Sequence, residues 1–234
     1  MFFSDEPIIT RRKIIRDAVG IGLGTATYGL SFGALGIATG LSLIETQLLS
    51  LIMFTGASQF ALVGTLAAGG GAISAVSAAS LLGVRNLAYA VRNNTLLKPH
   101  GLQRILGAQF TIDESTAMAL GHEKGVDGEA GAKFAFWATG TSVFVFWNIA
   151  TFLGAIAISL VGNPNTLGLD AAIAAGFIAL LWPQINSKFT LLVAVISAVV
   201  AIVAIPLVQP GIPILLAGFV AAILAWVKAM KNND

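Results

Sequence analysis

Four long stretches of the chain carry no Lys, Arg, Asp or Glu. They cover residues 18–44, 46–84, 134–169 and 189–227, and they are 27, 39, 36 and 39 residues long. One α-helical crossing of a bilayer takes about 20 apolar residues, so three of the four stretches are long enough for a helical hairpin or an extended tilted span. The pattern predicts an all-α polytopic membrane protein.

Windows of about 20 residues within these stretches give the positions of the predicted helices. The helices fall at 18–40, 45–67, 72–91, 134–160, 170–185, 190–207 and 212–229. One further apolar segment, 105–120, is short for a crossing and carries Asp113 and Glu114 at its middle, so we expect it to be re-entrant or broken. The sequence therefore predicts about seven transmembrane helices, within a range of about six to eight.

Composition agrees with this prediction and excludes several classes of function. The chain is 56% hydrophobic and 10% charged, with a mean hydropathy of +0.87, whereas a soluble domain has about a quarter of its residues charged. It contains no cysteine, which excludes disulfides, thiol nucleophiles and thiolate metal sites. It also lacks a phosphate-binding P-loop, a metalloprotease helix and a nucleophile elbow. We therefore expect that the protein is not an enzyme and that it binds no cofactor.

Basic residues cluster at 11–16, 85–104 and 228–231, close to the ends of predicted spans. Such clusters face the cytoplasm, so residues 1–17 are predicted to be a cytoplasmic basic segment rather than a nucleic-acid-binding patch. Residues 18–229 then form a single transmembrane transport domain, followed by a tail at 230–234. The basic loop at 92–104 is also cytoplasmic only if the helix at 72–91 does not cross the membrane completely. If that helix does cross, the loop departs from the rule that basic loops face the cytoplasm.

A weak internal repeat suggests two related halves, as in many transporters. Glu45 precedes Gln59 by fourteen residues, and Asp170 precedes Gln184 by the same distance, which gives one offset of 125 for both pairs. Two matched spacings also arise by chance in a chain of few residue types. If the repeat is real, the halves cover 18–104 and 134–229.

Small and polar residues within the first two spans offer candidate sites. Glycines recur in the first span on one helical stripe, which favours close helix packing, with a ligand-lined or sliding interface as the alternative. In the second span, Gln59 needs partners for its amide because burying it unpaired is unfavourable. We expect either hydrogen bonds between helices or contact with substrate. The glycines are Gly22, Gly29, Gly33, Gly36 and Gly40; the residues around Gln59 are Phe54, Thr55, Gly56 and Ser58, with Thr55 and Gln59 expected one turn apart on one helix.

Three charged residues within or at the edge of apolar segments are candidates for ion coupling. Arg85 lies near the end of its predicted helix, where it either reaches the lipid headgroups or pairs with an acid. Asp113 and Glu114 are the natural partners, since both lie in the next apolar segment. Either Thr111 or Asp113 caps the start of a helix, or the carboxylates exchange protons as their surroundings change.

Two further sets of residues are candidates for lining a substrate pocket. One face of the span at 134–160 mixes aromatic and polar residues, which suits either a pocket or ordinary packing with interfacial tryptophan. The sequence Trp182-Pro183-Gln184 breaks or ends its helix, and such breaks expose carbonyl groups that bind ligands in transporters. The face comprises Trp137, Thr141, Phe144, Asn148 and Thr151, with Trp147 beside it.

Several motifs together resemble the AzlC family, the larger subunit of bacterial branched-chain amino acid exporters. The likeness covers roughly residues 18–185. The chain departs from the family pattern around Arg85, where Gly83 and Asn86 stand in place of the usual Asn and His. The matching motifs are Tyr28 to Gln59 with Phe32-Gly33 and Phe54-Thr55-Gly56-Ala57-Ser58-Gln59-Phe60, Arg85 with Tyr89, Thr111-Ile112-Asp113-Glu114-Ser115, Trp147 to Gly154, and Leu167-Gly168-Leu169-Asp170.

The resemblance implies a multi-pass protein of the bacterial inner membrane that exports valine, leucine or isoleucine. It also implies a small membrane partner of the AzlD type, and oligomers are a further expectation. We expect a proton-coupled secondary transporter that binds its substrate through Gln59, Asn148 or the backbone of broken helices, with Arg85 and an acid as charged partners. A passive channel for small solutes, or a subunit whose partner carries the transport, are the alternatives.

Overall fold

The computed structural model describes residues 6–125, 127–160, 178, 181–182, 185–209 and 212–231. In this part of the chain the regular structure is helical and contains no strand, in agreement with the predicted all-α class. The helices are α1 Glu6–Ala38, α2 Leu43–Ile52, α3 Ala57–Ala67, α4 Ala72–Leu97, α5 Leu102–Gln109, α6 Asp113–Glu123, α7 Gly128–Leu160, α8 Lys188–Ala204 and α9 Ile212–Lys231.

Three of these helices are long and apolar enough to cross a membrane. They are Arg11–Ala38 within α1, Gly128–Leu160 and Ile212–Lys231. The helical membrane class is therefore confirmed, whereas the number of about seven crossings stays a prediction. Most of the helix predicted at 170–185 lies outside the described residues, and so do Asp170 and Gln184, the second half of the predicted repeat.

The chain forms two compact units. Unit 1 comprises Met1–Thr55 and Val84–Gly162, and unit 2 comprises Gly56–Gly83 and Asn163–Asp234. Unit 1 therefore holds α1, α2, the second part of α4, and α5 to α7. Unit 2 holds α3, the first part of α4, and α8 and α9.

In unit 1, α1 and α7 run parallel and in close contact. Arg11 lies over the ring of Phe134, and further along the two helices Gly29 lies against Trp147 and Ala150. A Cβ atom at Gly33 would overlap the carbonyl oxygen of Thr151. Helix backbones approach this closely only where side chains are missing, so the glycine stripe serves close packing along this contact.

The stripe ends before its last predicted members. A Cβ at Gly36 would meet the side chain of Thr46 in α2 rather than α7, and Gly40 follows α1 in the turn that leads to α2. Ser42 caps α2, and Glu45 accepts a hydrogen bond from the Ser42 backbone N–H in return. Glu45 thus serves as a capping residue.

The helix predicted at 45–67 is wrong as a single element, because the chain interrupts it between Ile52 and Ala57. Gly56 has φ +57° and ψ −83°, a conformation that residues with a Cβ rarely adopt. Its N–H donates to Oε1 of Gln59, which replaces a helical hydrogen bond lost at the break. Hydropathy windows miss such a break because the residues around it are as apolar as those of a continuous helix.

The segment predicted at 105–120 to be re-entrant or broken forms two short helices, α5 and α6, joined at Phe110–Ile112. The start of α5 and the end of α6 both lie near the start of α7. Lys98, just before α5, binds Glu129 of α7 at 3.2 Å. Glu123, the last residue of α6, contacts Arg92 of α4. Between them, Phe110 packs on Gly140, well along α7. The α5–α6 pair therefore enters and leaves on one side.

That side is the basic end of unit 1, defined by Arg11, Arg12, Lys98 and Lys133. Because α1 and α7 are parallel and Lys98 contacts the first turn of α7, the basic clusters at 11–16 and 92–104 lie at the same end. The two clusters therefore lie on one side of unit 1, as the positive-inside rule requires, and which side faces the cytoplasm stays a prediction.

Unit 2 contains an antiparallel pair of helices, α8 and α9. Nζ of Lys228, near the end of α9, lies 4.0 Å from the ring centroid of Phe189 at the start of α8. A Cβ at Gly218 of α9 would meet Leu81 of α4, so the first part of α4 packs on this pair.

Candidate functional site

Two helix breaks of unit 1 meet each other. Gln109 is the last residue of α5, and its side-chain N–H donates to the carbonyl oxygen of Leu51 at 2.7 Å. Leu51 lies at the end of α2, where carbonyl groups have no partner within the helix. The side chain of one broken segment thus satisfies the backbone of the other.

Three phenylalanines surround this junction. Phe54 follows α2 and packs edge-on against Phe144 of α7, with ring centroids 5.1 Å apart. Phe110, between α5 and α6, lies 5.5 Å from the same ring. Phe110 fits because residue 140 is glycine: a Cβ there would lie 2.8 Å from Cβ of Phe110. Phe54, Phe110 and Phe144 form the phenylalanine cluster.

A row of polar residues joins α2 to α7 next to the cluster. Gln47 donates to Oδ1 of Asn148 at 3.1 Å, and Asn148 donates to the carbonyl oxygen of Phe144 at 2.8 Å. One turn further along each helix, Ser50 donates to Thr151 at 3.2 Å. Within the described residues, Oε1 of Gln47 is buried without a hydrogen-bond partner. The row therefore holds a buried acceptor that a ligand N–H group can satisfy.

Arg85 pairs with Asp113, one of the two acids that the sequence offers as its partner. Nη1 of Arg85 lies 3.1 Å from Oδ2 of Asp113, and Tyr89 lies beside the same carboxylate. The other oxygen of Asp113 is buried and has no hydrogen-bond partner among the described residues. Asp113 and Glu114 both occupy the first turn of α6, where the helix dipole favours negative charge. Ile112, rather than Thr111 or Asp113, is the N-cap residue of α6.

A second ion pair joins the same two helices nearer the basic end. Arg92 contacts Glu123, and the next residue of α4, the buried Asn93, donates to Thr116 at 2.9 Å. The part of α4 in unit 1 is thus fixed to α6 by three side-chain contacts, and only the contact at Asp113 adjoins the α5–α6 break.

The structure brings some of the predicted site residues together and separates others. Phe54, Phe144 and Asn148 meet in unit 1, with Thr55 next to them in the chain. Trp147 faces α1 instead, where it stacks on Phe32 at 6.4 Å. Gly56, Ser58 and Gln59 begin α3 in unit 2, and Gln184 lies outside the described residues.

One prediction within that set is wrong. Thr55 and Gln59 do not share a helix, because α3 begins at Ala57 and Thr55 belongs to the break.

Sequence reasoning missed three residues of the junction, Gln47, Gln109 and Phe110. Gln47 had a usable signal, since it is a glutamine in the same uncharged stretch as Gln59. Gln109 had the same kind of signal, as a glutamine in the apolar segment at 105–120, whereas Phe110 had none, because its importance depends on contacts with segments that are far apart in the chain. Within the described residues, no group of three His, Asp or Glu side chains is placed to hold a metal ion.

Long apolar helices, two of them packed through glycines, and interrupted helices that meet beside buried polar groups define an α-helical membrane protein of the transporter type. A family profile described as AzlC protein matches residues 20–161, more than half of the chain, so the chain belongs to the AzlC family. This family is linked to membrane transport of amino acids and is not an enzyme family. Comparison with curated proteins and with solved structures finds no match.

Proposed function

We propose that this protein is a secondary transporter that exports branched-chain amino acids across the bacterial plasma membrane by alternating access. The observation that supports this most is the meeting of two helix breaks against Phe144. Phe144 is the central residue of α7, which spans Gly128–Leu160. Substrate sites of secondary transporters commonly lie near the middle of the membrane, where interrupted helices expose backbone groups.

The phenylalanine cluster and the polar row suit the two parts of an aliphatic amino acid. The substrate side chain packs against Phe54, Phe110 and Phe144, where burying a Val or Leu side chain contributes about 1.5–3 kcal/mol. The ammonium group donates to Oε1 of Gln47, and the carboxylate accepts from N–H groups at the breaks. A charged side chain has no ion partner in this cluster among the described residues, which favours aliphatic substrates.

Arg85 and Asp113 are the proposed ion-coupling pair, with Glu114 beside them. A proton taken up by Asp113 removes the charge that Arg85 faces, so protonation weakens the link between α4 and α6 next to the break. Release of the proton restores the pair. Proton binding is thereby coupled to movement of the α5–α6 pair.

The test uses the purified protein in vesicles loaded with labelled valine. Asp113→Asn is expected to abolish the acceleration of valine efflux by a proton gradient. Glu123→Gln is the matched control, because it removes the other carboxylate that joins α6 to α4 but lies away from the break. The control is expected to keep the pH profile of the unmodified protein.

Two results would contradict the proposal. Undiminished, proton-driven efflux by folded Asp113→Asn protein excludes the coupling role. Linear flux without counterflow, in which external valine fails to accelerate release of labelled internal valine, shows a channel rather than a carrier.

The resemblance also supports a small partner of the AzlD type. We propose that this partner assembles with the chain in the membrane and raises its transport rate. The same vesicles prepared with and without the co-expressed partner test this, since equal rates and separate elution would contradict it.

A further inference from the structure

An apolar groove with basic residues at one end follows the contact between α1 and α7. It has a volume of 510 Å³, and one of its wall residues, Trp137, also contacts Phe110 at the α5–α6 break, with ring centroids 5.9 Å apart. Its walls are Ile15, Ala18 and Val19 of α1 and Trp137, Ala138, Thr141, Ser142, Val145 and Phe146 of α7. Ile15 and Val145 are 49% and 45% exposed, so the groove opens outward from unit 1.

Two arginines lie at the basic end of this groove. Arg11 and Arg12 precede Ile15 by four and three residues, which puts them on the helical stripe that continues into the groove. The guanidinium carbon of Arg11 lies 5.5 Å from the ring centroid of Phe134, one turn before Trp137 and Ala138 on α7. Positive charge on α1 therefore adjoins an apolar groove whose walls come from both helices.

The size of the groove suits a hydrocarbon chain. Its α7 wall runs from Trp137 to Phe146, which is about 14 Å along a helix, so 510 Å³ corresponds to a groove about 7 Å wide. A flexible acyl chain fits within this width, and the two arginines at its basic end match an anionic headgroup.

We propose that this groove binds an anionic phospholipid, with the phosphate held by Arg11 and Arg12 and one acyl chain lying between α1 and α7. The charge at the mouth and the apolar walls match the two ends of such a lipid. Arg16 is less suited to the phosphate because it already lies 3.3 Å from Asp17. None of Phe54, Phe110 and Phe144 lines the groove, and Trp137, which contacts Phe110, is the point where the groove adjoins the proposed substrate site.

The test uses quenching of Trp137 by brominated lipids. The full-length protein is placed in nanodiscs that contain phosphatidylglycerol or phosphatidylcholine with bromine near the headgroup end of one acyl chain. The difference in quenching between the unmodified protein and Trp137→Phe isolates Trp137 from the three other tryptophans. We expect phosphatidylglycerol to quench Trp137 at lower mole fraction than phosphatidylcholine does.

Charge variants then locate the headgroup. Arg11→Gln with Arg12→Gln is expected to lower the preference for phosphatidylglycerol by about fivefold for each arginine removed. Lys13→Gln is the matched control, because it removes one neighbouring charge from a different side of the same helix turn. It is expected to change the preference by less than about twofold, since it does not adjoin the groove.

Three results would overturn the proposal. Equal quenching by both lipids shows a groove without headgroup selectivity. An effect of Lys13→Gln as large as the effect per arginine of the Arg11→Gln, Arg12→Gln double variant shows diffuse attraction of the basic end to an anionic surface. Absence of Trp137 quenching by either lipid shows that another protein segment covers the groove. Circular dichroism and gel filtration of each variant establish that it is folded, so each result bears on the site itself.

Discussion

Gly33→Ala tests whether the contact between α1 and α7 depends on missing side chains. A Cβ at residue 33 would overlap the carbonyl oxygen of Thr151 and lie 2.9 Å from the backbone nitrogen of Ala155. Because these are backbone atoms of a helix, they cannot turn aside as the end of a side chain can. The two helices must therefore move apart, which weakens the packing along the whole contact between α1 and α7.

The expected loss of stability follows from comparison with Gly24→Ala on the same helix. A Cβ at residue 24 would meet nothing within 4 Å. Both substitutions share the gain of about 0.5–1 kcal/mol that alanine gives over glycine within a helix. Only Gly33→Ala adds the cost of overpacking, about 1–3 kcal/mol. For a chain of this length, that difference separates the two unfolding midpoints by about 2–12 °C.

The assay is thermal unfolding of the purified variants in one detergent, followed by circular dichroism and by gel filtration after heating. Gly24→Ala is expected at or above the midpoint of the unmodified protein, and Gly33→Ala below that of Gly24→Ala. Equal midpoints for the two variants would refute the reasoning, because the glycine stripe would then have no role in the α1–α7 contact.

The other predictions concern the junction of the helix breaks. Gln109→Leu removes the hydrogen bond to the Leu51 carbonyl group. We expect it to reduce the free energy of unfolding by about 1 kcal/mol and to lower the initial rate of valine efflux. The control is Gln103→Leu, since Gln103 is exposed on the same short helix. Equal efflux rates for the two variants would exclude a role of the junction in transport. Gly140→Ala displaces Phe110 and is expected to lower the rate more than Gly121→Ala, where a Cβ meets nothing within 4 Å. The ratio of these two rates, at matched amounts of folded protein, measures the effect.

The sequence was sufficient for the class of the protein, and the reason is physical. A polypeptide backbone in lipid must satisfy its hydrogen bonds internally, and an α-helix does so within a single segment. Long uncharged stretches therefore predict membrane helices. The same signal located α1, α7 and α9 to within a few turns. The charged pair at 113–114 in an apolar segment correctly indicated a re-entrant or broken element, because charge within a span is unfavourable.

The break between α2 and α3 and the junction around Phe144 could not be predicted in the same way. A hydropathy window averages over about 20 residues, whereas the break involves only Met53 to Gly56. Leu51 and Gln109 are joined by one hydrogen bond across 58 positions of the chain. Periodicity and composition describe neighbours along a helix, so contacts of this kind appear only once the helices are packed.

The lengths of α2 and α5 explain why the junction falls at the middle of α7. These helices have 10 and 8 residues and are about 15 and 12 Å long, half or less of a hydrocarbon core of about 30 Å. The segment α5 starts at the basic end, while α2 starts beyond the far end of α1, so they approach the same level from opposite ends of unit 1. The side chain of Gln109, at the end of α5, covers the exposed carbonyl group of Leu51 at the end of α2. Separation of the two half-helices would uncover this carbonyl group beside the phenylalanine cluster, a change that suits the proposed alternating access.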